Sequence, residues 1–179
     1  MKIACIGWGS LIWEPNELGI NSEWYIDGPL LPIEFARQST DGRITLVIEE
    51  KSIPVRTLWC YMTASNLNEA IESLRKREKT NLNYIHFQTL DSEPKNKIHA
   101  IVFDWLREKK IECAIWTGLP PKFNDVNNIK PTLNELLNYL EKADTEILVK
   151  CSEYILKAPR QINTKYRKDL EYKLKATDL

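Results

Sequence analysis

The chain has 179 residues, 43% of them hydrophobic, with 25 Lys plus Arg balanced by 25 Asp plus Glu. Length and composition make one core, residues 1–179, the default and exclude a disordered or collagen-like chain. A formal charge of zero gives no overall field to draw the molecule to nucleic acid.

Ile3 to Ile6, the longest apolar stretch at the start, is too short for a signal-peptide core of about 7–15 residues or a membrane helix of about 20. The expected location is therefore the cytoplasm, with neither nucleic acid nor membrane as partner. Cys5, Cys60, Cys113 and Cys151 lie far apart with no Cys-x-x-Cys pair, so they are expected as reduced packing residues.

Met1 to Trp8 is a β-branched, apolar run closed by Gly9-Ser10, which predicts a buried strand feeding a tight loop. Asn16 to Pro32, punctuated by Gly19, Gly28, Pro29 and Pro32, predicts a long irregular surface connection. Ile33 to Ser39 and Arg43 to Glu49 flank an Asp41-Gly42 turn and predict an antiparallel hairpin. Arg56 to Thr63 reads as a strand, and Asn66 with Glu69 three residues on starts a helix through Glu78. Ile98 to Leu106 and Ile111 to Trp116, separated by four charged residues, read as a second hairpin.

After Gly118-Leu119-Pro120-Pro121 the pattern turns helical. Thr132 to Ala143 places Leu133, Leu136, Leu137 and Leu140 on one face behind a Thr132/Glu135 capping box. Glu146 to Leu156 repeats the pattern, and Asn163 to Leu174 repeats it more weakly beyond Pro159. The basic residues of this tail, among them Lys165, Arg167 and Lys168, read as a solvated face, with an interaction surface as the other reading.

One helix carries an anomaly. At about 100° per residue, Leu67, Ala70, Ile71 and Leu74 form one stripe, and Glu78 falls in the middle of it. A carboxylate in apolar surroundings costs several kcal/mol unless it is neutralised or given a donor. Either response suits a proton-transfer group. Periodicity leaves a second account open, in which Glu78 ends the helix in solvent or pairs with Arg77, Lys79 or a strand arginine.

The glycines around Trp8 let backbone N–H groups approach an anion or a carbonyl oxygen, and they equally suit a plain strand-ending turn. Leu11-Ile12-Trp13-Glu14-Pro15 lacks the third glycine and the helix of a dinucleotide fingerprint. Ser10 lacks the second glycine of a nucleophile elbow. His86 and His99, without paired cysteines, argue against a zinc site and are expected as hydrogen-bonded strand residues. Trp59, Trp105 and Trp116 are expected in strands and in the core, and Trp13, Trp24 and Trp116 can also line a pocket mouth.

Ile6-Gly7-Trp8-Gly9-Ser10-Leu11-Ile12-Trp13 resembles the Tyr-Gly-Ser-Leu loop of the gamma-glutamylcyclotransferase-like families, which include glutathione-degrading cyclotransferases. Asp41-Gly42-Arg43-Ile44-Thr45-Leu46-Val47 is similar to their Gly-Arg-x-x-Thr-Leu strand, and the segment Asn68 to Glu78 resembles the helix that ends in their catalytic glutamate. The resemblance covers residues 1–116, with 130–179 as a helical extension. It implies an α+β fold with a mixed sheet or small partial barrel and one catalytic helix. It also implies catalytic Glu78 as general base and a substrate-binding loop of Trp8, Gly9, Ser10 and Leu11, with neither metal nor cofactor. The implied partner is a small molecule with a gamma-glutamyl-like group, converted to 5-oxoproline and a free amine. Trp8 stands where the family has Tyr, which leaves the leaving amine open. The other function considered is a non-catalytic ligand-binding module of the same fold. Oligomeric state is not legible.

Overall fold

The computed structural model describes residues 1–176. In chain order the elements are β1 (Ile3–Gly7), β2 (Leu30–Gln38), β3 (Ile44–Ile48), β4 (Pro54–Arg56), β5 (Leu58–Tyr61), α1 (Leu67–Glu78), β6 (Ile85–Thr89), α2 (Lys97–Lys109), β7 (Cys113–Thr117), β8 (Lys122–Phe123), β9 (Val126–Asn127), α3 (Leu133–Lys142), α4 (Thr145–Lys157) and α5 (Arg167–Lys175). The architecture is α+β with two mixed sheets. The residues group into two compact units, Met1–Leu31 with Arg56–Leu119, and Pro32–Val55 with the chain from Pro120 onward. The hairpin at 33–49 thus groups with the C-terminal helices, and residues 177–179 lie outside the described part.

In the first unit the sheet order is β5-β1-β7-β6. β1 is a central strand, antiparallel to β5 and parallel to β7, and all five of its residues are buried. Alternation along the strands sends Ile3, Cys5, Cys113 and Ile115 to one face, where they cluster with Ala70 and Leu74 of α1. The expected long connection at 16–32 is largely irregular, tied to β5 and its extension by the bridges Ile20 to Met62 and Tyr25 to Trp59. It is more than a surface loop, because Leu18 and Trp24 pack into the core cluster.

α1 begins as the sequence predicts. The Asn66 side chain accepts from the Glu69 amide at 3.0 Å, and the Glu69 carboxylate returns to the Ser65 amide at 2.9 Å. Asn66→Ala is expected to cost about 0.5–2 kcal/mol, read as a lower midpoint in a denaturant titration.

The second predicted hairpin is corrected. Ile98 to Leu106 lies within α2, with Asn96 capping its start through the His99 amide at 3.1 Å. Its buried residues are Ile98, His99, Val102, Trp105 and Leu106, which is helical spacing that a short apolar run conceals. The charged residues that read as a turn end the helix instead. Arg107 and Lys109 lie in its last turn, where cations suit the helix dipole, and Lys110 closes it at φ 55°. Trp105 is accordingly a helix residue, and His99 is too.

In the second unit β2 and β3 form the predicted hairpin, and the sheet runs β3-β2-β8-β9 with β4 also against β2. Gly42 has φ 82°, and a Cβ there would come within 2.9 Å of the Tyr139 hydroxyl and 3.0 Å of Ile147, so the turn needs glycine. α3 carries the Thr132/Glu135 capping box, and α4 is capped by Asp144. Arg167, buried at the start of α5, donates to the carbonyls of Pro159, Ile162 and Ala158 at 2.6, 3.0 and 2.7 Å. It also reaches the Ile155 carbonyl at 3.4 Å, in the last turn of α4, where a helix end leaves carbonyls without an intrahelical partner. All four cysteines are free and buried. Among the described residues no helix is long and apolar enough to cross a membrane.

Candidate functional site

Glu78 lies one helical turn beyond Leu74, so the two share the face of α1 that looks onto the sheet. Its side chain is 14% exposed. Arg77, 8% exposed, joins it to the loop after β1. Nη1 of Arg77 donates to Glu78 Oε1 at 2.7 Å. Nη2 donates to Ser10 Oγ at 3.2 Å and to the Glu14 carbonyl at 2.6 Å, and Nε reaches the same carbonyl at 3.1 Å. One guanidinium thus holds the carboxylate and both ends of the Ser10–Glu14 turn.

The ion pair with Arg77 is one of the two accounts that periodicity left open, and it coexists with burial. Desolvation raises the Glu78 pKa above the ordinary carboxylate value, outweighing the opposing pull of Arg77 and of the Thr117 hydroxyl. Thr117 stands beside the carboxylate, but its buried hydroxyl reaches full hydrogen-bond geometry with no partner among the described residues. The charge of Glu78 also bears on Cys5 of β1. The Cys5 thiol is held well above its usual pKa, first by hydrogen bonding to Cys60 directly across the strand pair and then by burial.

In the loop, Ile12 donates to the Gly9 carbonyl at 3.0 Å and Glu14 to that of Ser10 at 2.8 Å. The amides of Gly9, Ser10 and Leu11 donate to no acceptor among the described residues. Trp8 and Leu11 are buried, so what these two positions can offer a ligand is backbone. Neither Gly7 nor Gly9 has positive φ, which among the glycines falls at Gly42. Gly7 is required for a different reason, since a Cβ there would sit 2.8 Å from Cζ3 and 2.9 Å from Cη2 of Trp24.

The arrangement therefore brings Glu78 and Ser10 together through Arg77. Sequence reasoning named Arg77 as a possible partner of Glu78 but had no means of seeing its bonds to a loop some 65 positions away. Thr117 and the seat of Trp24 on Gly7 carried no local signal at all. Asp41 to Val47, the other motif segment, lies in the second unit.

The two histidines occupy a separate cluster of the first unit. His86 is in β6, the strand setting expected of it, whereas His99 is in α2, which corrects the strand expectation for that residue. Their ring centroids are 6.0 Å apart, and both rings stand edge-on to Trp116, at 6.0 and 5.0 Å. Burial lowers the pKa of each, with the Lys95 charge acting in the same sense. Trp116 is fully buried, so it lines no pocket mouth. Among the described residues no group of three or more His, Cys, Asp or Glu is placed to hold a metal.

No family model matches the chain, and no curated protein matches it.

Proposed function

We propose that the chain is a cytoplasmic, gamma-glutamylcyclotransferase-like enzyme that cyclises a gamma-glutamyl amine or amide to 5-oxoproline and releases the free amine. The observation that carries this reading is Arg77, which ties Glu78 Oε1 and Ser10 Oγ to one guanidinium at 2.7 and 3.2 Å. The corresponding fold reading is a cyclotransferase-like sheet with α1 as the catalytic helix.

In this mechanism ionised Glu78 takes a proton from the substrate's α-ammonium. The freed amine attacks its own γ-carbonyl and a five-membered ring forms; the bond to the leaving nitrogen breaks as Glu78 returns its proton there, and the second proton that the ring nitrogen sheds goes to the departing amine, which leaves as an ammonium. Intramolecular attack is worth effective molarities of about 10⁵–10⁸ M, so the protein need only fold the substrate and manage its protons. Desolvation makes Glu78 a better base than a solvated carboxylate. The unspent amides of Gly9, Ser10 and Leu11 suit the developing oxyanion or the substrate carboxylate. The chemistry calls for neither metal nor cofactor.

The test is incubation with gamma-glutamyl dipeptides and amides while 5-oxoproline is followed. Activity is expected to rise with pH through an acidic limb lying above the ordinary carboxylate pKa. Arg77→Met is expected to move that limb to higher pH, because removing the cation leaves burial at Glu78 opposed only by the Thr117 hydroxyl. An unmoved limb assigns it to another group. The ion pair also favours a second reading, a non-catalytic binding module in which Arg77 neutralises Glu78. That reading predicts ligand-dependent thermal stabilisation without product.

A further inference from the structure

His86 and His99 are the two histidines of the chain, and the fold sets them ring beside ring from different elements. We propose that this pair is a binding site for an imidazole-seeking divalent transition cation such as Zn²⁺ or Cu²⁺, with the two imidazoles as protein ligands and water in the remaining positions.

The spacing fits. With a metal–nitrogen bond of about 2.0–2.1 Å and about 1.1 Å from nitrogen to ring centre, a shared ion lies about 3.2 Å from each centroid. Two such rings are about 5.2 Å apart at a tetrahedral angle and about 6.4 Å apart when opposed in a line. The observed 6.0 Å lies between these limits.

The surroundings fit as well. A metal-binding histidine usually donates its other ring N–H to a carbonyl or carboxylate, which fixes the tautomer and aims the free nitrogen. The Gln88 amide nitrogen donates to the carbonyls of Thr89 and Ser92 at 2.9 and 2.8 Å. Its oxygen is thereby turned to Nδ1 of His99 at 3.1 Å. Nδ1 then carries the proton, and Nε2 of His99 keeps its lone pair. The Asn83 carbonyl lies beside the His86 ring. That ring is pressed so closely on Gly118 that a Cβ there would come within 2.5 Å of it. The Trp116 indole packs edge-on against both rings, and its buried N–H has no partner among the described residues, a donor left over for the oxygen of a coordinated water. His86 is half-buried, which leaves a side for solvent to enter. The charge of Lys95 bears on both rings and works against a cation.

Trp116 and Thr117 are neighbours on β7 and point to opposite faces of the sheet. The histidine cluster therefore does not share the face of Glu78, and the proposal stands whatever the Glu78 site does.

The test is calorimetric titration of the full chain with ZnCl₂ and with CuCl₂. Saturable one-to-one binding is expected, weakened by roughly tenfold or more in His86→Gln and in His99→Gln. Gln88→Leu, which removes the aiming carbonyl, is expected to lose about 10–100-fold, and Lys95→Gln to bind more tightly than the unaltered chain. The Cu²⁺ form should show hyperfine coupling to two nitrogens by electron paramagnetic resonance. His86→Gln, at the half-buried position, carries the test if His99→Gln fails to fold. Failure of the unaltered chain to saturate at one ion, binding unchanged in His86→Gln, or a copper spectrum without nitrogen coupling would each overturn the proposal.

Discussion

Glu78→Gln is expected to lower 5-oxoproline formation by about 10²–10⁴-fold, the usual worth of a positioned acid–base group, while the protein remains folded. The substitution keeps size and shape, and the new amide oxygen can still accept from Arg77 Nη1, now 2.7 Å from Glu78 Oε1. What it removes is the capacity to take a proton. Because Arg77 also holds Ser10 and Glu14, the loop should keep its shape in the variant. A circular dichroism spectrum and melting temperature close to those of the unaltered chain, together with lost turnover, separate loss of the base from loss of the site. Full turnover in Glu78→Gln would remove Glu78 from the mechanism.

The largest effect on stability is expected from Leu74→Ala. Leu74 is completely buried on α1, in the cluster with Ile3, Cys5, Cys113 and Ile115. Truncating such a side chain costs about 2–5 kcal/mol, part of it lost transfer energy and part the cavity left behind. At about 2–4 °C per kcal/mol for a chain of this size, a melting scan should show a drop of roughly 4–20 °C. Leu74 is one turn before Glu78, so the same change loosens the helix end that carries the carboxylate. A drop smaller than about 1 °C would mean that α1 does not rest on this residue.

Much of the architecture was legible from local chemistry. Asn66 with Glu69, Thr132 with Glu135, and Asp41-Gly42 are self-contained signals, because the capping and turn bonds they make are to residues within a few positions. The misread α2 shows the limit of the same method. Ile98 to Leu106 is a short apolar run whose helical period emerges only once Asn96 is recognised as its cap. β6 was legible only as the strand setting expected for His86, because Ile85 to Thr89 mixes His and Gln into a strand held mainly by pairing with β7.

The candidate site divides along the same line. Glu78 was legible because helical period alone aims it at the core, and the loop was legible as a glycine-rich strand ending. Their connection was not, since Arg77 reaches Ser10 and Glu14 only after α1 has packed on the sheet. The reason for Gly7 was equally hidden: it is the indole of Trp24 occupying the space of a side chain, and no backbone angle betrays it.

The most direct measurement is a nuclear magnetic resonance titration of the unaltered protein with a gamma-glutamyl analogue whose reactive carbonyl is replaced by methylene, so that it binds but cannot cyclise. The amides of Gly9, Ser10 and Leu11 and the side-chain carboxyl carbon of Glu78 should move together along one saturation curve. Saturation with those signals unmoved, or with the loop and Glu78 following separate curves, would contradict a single site built from both.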